Sequence, residues 1–155
     1  MCTDKGAIGD LWTPKLRLVS YRFLPHTADL IVEITGASLA DVFHDATAVV
    51  RNLVAGDRSV SAIESHPITL EAQSADELLI RFVRELLTQF QLDTFVPAQL
   101  EIEQLAPSQL AATVRGEPFD DSKHEPQPEV KAATRHSLSV EETDVGWRAV
   151  MVLDL

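Results

Sequence analysis

Two stretches of this 155-residue chain carry helical periodicity, and segments alternating with a period of two surround them. In the first, Ser38 stands as an N-cap with Asp41 three residues on. Leu39, Val42, Phe43, Ala46, Val50 and Leu53 then recur at helical spacing, and Gly56 lies just past the end. The second repeats the design, with Ser74 as cap, Glu77 at the third position and a stripe of Leu79, Phe82, Val83, Leu86 and Phe90. Strand patterns run from Leu18 to Leu24 and from Ala28 to Ile34, where Ala28, Leu30, Val32 and Ile34 share a face. Another, from Ile63 to Ala72, separates the helices. Beyond the second helix come Leu100 with Ile102, then Leu110 to Val114, Val130 to Val140 and Trp147 to Leu155. Consecutive strands joined by short turns favour antiparallel pairing. Helices that do not alternate regularly with strands favour an α+β fold over a doubly wound sheet. The expectation is one α+β domain, mostly antiparallel sheets with two amphipathic helices, over residues 17–155. Residues 1–16, with Gly6, Gly9 and Pro14 and no clear period, are expected to form a loosely ordered extension.

Charge narrows the function classes. Acidic residues outnumber basic ones 24 to 13, a net −11 that repels phosphate backbones and disfavours direct nucleic-acid binding. Such a chain suits a divalent cation or a basic protein partner instead. Cys2 is the only cysteine, so no intramolecular disulfide forms, and the composition fits a reducing, cytoplasmic setting. No apolar run approaches the roughly 20 residues of a membrane span, and no signal-peptide core is visible.

Two aspartates far apart in the chain lie in or beside strand-like apolar runs. Asp29 closes His26-Thr27-Ala28-Asp29, and Asp154 follows Val150 and Val152 on one face of the last strand. A carboxylate there needs pairing, hydrogen bonds or a cation. If folding brings the ends together, the two carboxylates, the terminal carboxylate of Leu155 and a backbone carbonyl make an oxygen-ligand set for Ca²⁺, Mg²⁺ or Mn²⁺. The plainer alternatives are a turn at His26–Asp29 and a polar chain end in solvent. Gly116 to Pro128, with Asp120, Lys123 and His124, reads as a charged loop. Lys131 lies in an alternating strand with Ala133 and Arg135 on its face, and Ala132, Thr134 and His136 on the other. No nucleophile elbow or Gly-rich phosphate loop occurs.

In combination these segments resemble one family, archease, the protein partner of the RtcB-type tRNA-splicing RNA ligase. The resemblance rests on Pro25-His26-Thr27-Ala28-Asp29, Asp76-Glu77-Leu78-Leu79 with Glu85-Leu86-Leu87, and Gly116-Glu117 with Asp120 and Lys123-His124. It continues through Val130-Lys131-Ala132-Ala133-Thr134-Arg135-His136 to Trp147-Arg148-Ala149 and Leu153-Asp154-Leu155. It implies an activator rather than an enzyme, one that promotes guanylylation and multiple turnover of the ligase in tRNA splicing or RNA repair. It also implies a divalent metal, commonly Ca²⁺, held by Asp29, Asp154 and the main chain of Leu155. Lys131, His26, Asp120 and His124 are then residues of partner contact or activation. The chain departs from the family pattern at Arg135, often Tyr, and at Arg81-Phe82-Val83-Arg84, commonly Trp-Leu-Asn. Two other classes stay open: a general chaperone or adaptor with a structural metal, and a small metal-dependent hydrolase using Asp29, Asp154 and a histidine such as His124.

Overall fold

A computed structural model describes residues 21–24, 29–125 and 132–154, the side chain of His136 excepted. The expected extension and the sequence positions of His26, Lys131 and Leu155 lie outside the described residues. The elements are β1 (Tyr21–Leu24), β2 (Asp29–Gly36), α1 (Leu39–Ala55), β3 (Glu64–Glu71), α2 (Ala75–Asp93), β4 (Phe95–Ala106), β5 (Gln109–Pro118), β6 (Ala132–Thr143) and β7 (Gly146–Asp154). They form a four-stranded sheet in the order β1-β2-β7-β6 and a three-stranded sheet in the order β3-β5-β4. Every strand pairing is antiparallel. Both helices touch both sheets, so they form the layer between them.

The helices begin where side chains satisfy their first N–H groups. Ser38 Oγ accepts from the Asp41 N–H, and Ser74 Oγ from the Glu77 N–H, each at 3.2 Å. Glu77 reaches back to the Gln73 N–H, one residue before the cap, rather than to the cap itself. Gly56 closes α1 with φ 70°, and Thr94 closes α2 in the left-handed region with φ 53°. The two apolar stripes meet in the core, where Phe43 and Phe82 pack edge to face with ring centroids 5.3 Å apart.

Strand boundaries differ from the sequence expectation at β4, which begins at Phe95 rather than Leu100, and in two further places. Gly116, Glu117 and Pro118 are the end of β5, not loop, because Gly116 pairs with Glu64 on one side and Pro97 on the other. A side chain at Gly116 would run into the Val96 carbonyl oxygen, so only glycine allows this approach. In β6 the simple alternation of Lys131, Ala133 and Arg135 fails after Thr134. Thr134 pairs with Val152 and Ser139 with Val150, so five steps along β6 face two along β7, leaving three extra residues. Ser137, inside this bulge, has φ 59°.

Candidate metal centre and its surroundings

The apolar register of β2 against β7 fixes where the two aspartates go. Val32 and Ile34 of β2, and Ala149, Met151 and Leu153 of β7, are buried toward the helices. Slipping one strand by a single residue would turn its whole inward set to the outside. The register therefore runs from Gly36 opposite Trp147 to Asp29 opposite Asp154. Directly opposed residues of an antiparallel pair project from the same face with Cβ atoms about 4.5–5.5 Å apart. The two carboxylates thus share the outer face, with Val150 and Val152 leading to Asp154 and Ala132 of β6 opposite Asp154 on its other side.

Like charges directly opposed across strands are unfavourable, and a cation between them reverses the sign of that interaction. Two hard-oxygen donors at one register position fit a divalent cation of the Ca²⁺, Mg²⁺ or Mn²⁺ kind. Among the described residues no group of three or more His, Cys, Asp or Glu is placed to hold a metal.

Farther along the same face, Glu33 binds two arginines that the sequence reading did not single out. Arg22 Nε donates to Oε1 at 2.6 Å and Arg148 Nε to Oε2 at 2.8 Å, joining β1, β2 and β7. Hydrogen bonds from Arg22 and then Arg148 hold the Glu33 carboxyl below its ordinary range. Sign alternation across neighbouring strands was the available signal, but pairing partners must be known before it can be read.

Asp120 and His124 belong to a different structure, beyond the end of β5 in the other sheet. Asp120 Oδ1 accepts from the Ser122 hydroxyl at 2.7 Å and the Ser122 N–H at 2.9 Å, which holds its carboxyl below its ordinary range. The Asp120 N–H donates to His124 Nδ1 at 3.0 Å. Nδ1 is therefore an acceptor, and Nε2–H donates to Glu117 Oε2 at 2.8 Å. Glu117 also accepts from the Ser61 N–H at 2.9 Å and from Lys123 Nζ at 3.0 Å to Oε1. Burial pushes the Glu117 carboxyl up, but the Lys123, Ser61 and His124 donors outweigh it and bring it down to about 2. With only 2% of its surface exposed, His124 cannot meet a partner directly. It ties the segment after β5 to Glu117, and Glu117 and Lys123 bind Ser61 in the connection between α1 and β3. Arg81 and Arg135, two departures noted in the sequence, converge on Glu77 at the start of α2.

The model of the archease protein family matches residues 21–155. The archease of Pyrococcus abyssi is 31% identical over 134 residues, covering 84% of this chain and 94% of its own. That of Methanosarcina acetivorans is 29% identical over 139 residues, covering 87% and 95%. The solution structure of Methanobacterium thermoautotrophicum protein 1598 superposes with a TM-score of 0.74 at 25% identity, covering 89% of this chain and all of that one. A Thermotoga maritima crystal structure, described as an archease and possible chaperone, has a TM-score of 0.60 at 18% identity, covering 85% and 94%; it bears on the fold alone. No helix among the described residues is long and apolar enough to cross a membrane.

Proposed function

The chain belongs to the archease family, and from that premise we propose that it is a non-catalytic, metal-binding activator of an RtcB-type RNA ligase. In this reading it works in the cytoplasm and promotes guanylylation of the ligase from GTP, and hence repeated turnover, in tRNA splicing or RNA repair. The observation that carries it is the register that sets Asp29 opposite Asp154 on an outward face of a chain of net charge −11. These carboxylates, with the main-chain oxygen of Leu155, hold the metal. A bound divalent cation, with Ca²⁺ the first choice, would neutralise the carboxylates and accept oxygen ligands from a partner. The chain's own part is to present that end rigidly: the inward apolar set fixes the register, and Glu33 with Arg22 and Arg148 ties the strands beside it. Lys131 and His26 act at the partner contact. Asp120 and His124 act indirectly, by holding the segment that follows β5.

The test is multiple-turnover RNA ligation by the RtcB-type ligase of the same organism, with GTP and Mn²⁺. A large rise in turnover at substoichiometric amounts of this protein is expected. An Asp29→Ala, Asp154→Ala double variant that stays folded and still activates fully would remove the metal-organised end from the account. The second reading is a general chaperone or adaptor, the role named as possible for the Thermotoga maritima protein. It requires suppression of aggregation of unrelated proteins without any ligase present.

A further inference from the structure

An acidic chain that meets a partner by charge alone would dock in many orientations, because a uniform field attracts without fixing register. The structure breaks that uniformity where α2 meets the bulge of β6. Three exposed arginines converge there from two elements. Arg135 Nη2 donates to Glu77 Oε2 at 2.7 Å, and Arg81 Nη2 stands 3.8 Å from the same oxygen. Arg81 Nη1 also donates to the Glu71 carbonyl at 3.2 Å, and Arg84 Nε to the Ala133 carbonyl at 2.9 Å. Each guanidinium carries five N–H donors, so these bonds aim it while leaving most donors outward.

The neighbouring carboxylates of Glu77 and Glu85 offset part of the charge of the three guanidiniums without removing it. Glu77, 17% exposed at its side chain, has one oxygen on the Gln73 N–H and the other on the arginines. Glu85 accepts from Gln89. Arg81 and Arg135 keep 50% and 59% of their side-chain surface in solvent.

The three-residue bulge is what places Arg135 here, and it includes Ser137 in the left-handed region, a conformation disfavoured for serine. Ala132, three residues before Arg135 on β6, lies opposite Asp154. At about 3.3 Å per strand residue Arg135 stands roughly 10 Å along β6 from that position.

We propose that Arg81, Arg84 and Arg135 form a docking surface for an acidic patch on the partner protein, fixing the orientation in which the Asp29–Asp154 end is presented. This rests on the activator reading, since the partner is the ligase. A protein surface is favoured over nucleic acid because three guanidiniums on a chain of net −11 do not offset its repulsion of a phosphate backbone.

The test compares the wild type, an Arg81→Glu, Arg135→Glu double variant, an Arg81→Gln, Arg135→Gln double variant and an Arg58→Glu control from an exposed site elsewhere. Each is checked for folding by circular dichroism, then titrated against the ligase at several salt concentrations and assayed for stimulation of ligation. Charge reversal at Arg81 and Arg135 is expected to weaken binding on the order of tenfold, and Arg58→Glu by less than about twofold. The Gln pair should bind with a shallower salt dependence than the wild type, and it decides the matter if the Glu pair does not fold. A folded Glu pair with wild-type affinity and half-saturating concentration overturns the docking surface while leaving the activator reading intact. A wild-type protein that neither binds nor stimulates the ligase overturns both. Retention of labelled tRNA by the wild type, lost in the Glu pair, makes the occupant nucleic acid and overturns the proposal as well.

Discussion

Replacing Glu117 by Gln keeps the shape of the buried network and removes its charge. The carboxyl lies at about 2 rather than its ordinary 4.5. At about 1.4 kcal/mol for each tenfold change in proton affinity, that difference corresponds to about 3 kcal/mol favouring the folded state at neutral pH. Lys123, which supplies part of it, keeps 34% of its side chain exposed, and water screens that pairing. We therefore expect a deficit of about 2 kcal/mol for Glu117→Gln at pH 7. The sign follows from the direction of the shift. A carboxyl depressed on folding contributes fully above its unfolded value and loses the contribution as pH falls through the folded one. The gap between wild type and variant should narrow below about pH 4.5, fall to less than half by about pH 3, and vanish only below about pH 2. Urea denaturation followed by far-ultraviolet circular dichroism at pH 7, 4 and 3 measures it. Other carboxylates titrate in both proteins and cancel in the difference. A gap of equal size at pH 7 and pH 3 would refute the reasoning, because the loss would then come from packing and not from an ionised carboxylate.

Calcium at about one hundred times its dissociation constant should stabilise the wild type by about 2.7 kcal/mol and raise its Tm by several degrees. An Asp29→Asn, Asp154→Asn variant should show no such shift in differential scanning fluorimetry. Gly116→Ala should cost about 1–3 kcal/mol or more in a urea melt, because its methyl group meets the Val96 carbonyl oxygen. Ser74→Ala should cost about 1 kcal/mol by the same measurement, through loss of the bond to the Glu77 N–H.

Local patterns in the chain were sufficient for most of the elements. Ser38, Ser74 and Gly56 marked helix ends because caps depend on one or two residues and their own backbone. That Val150, Val152 and Asp154 share one face of β7 was legible for the same reason, since alternation belongs to a single strand. Alternation failed at the bulge of β6, and the loop assignment failed at Gly116. In both places the outcome depends on a partner strand with its own register.

The candidate site divides along the same line. That Asp29 and Asp154 are carboxylates beside apolar strand faces was determined by sequence, and so was the likeness to archease. That they face one another was decided by tertiary structure, because register is set by burying Val32, Ile34, Ala149, Met151 and Leu153 together. The inward aim of His124, its link to Glu117 and the meeting of Arg81 with Arg135 at Glu77 were likewise decided there. Contacts between residues more than fifty positions apart, as with Glu77 and Arg135, depend on how whole elements pack, and local sequence carries no record of that distance.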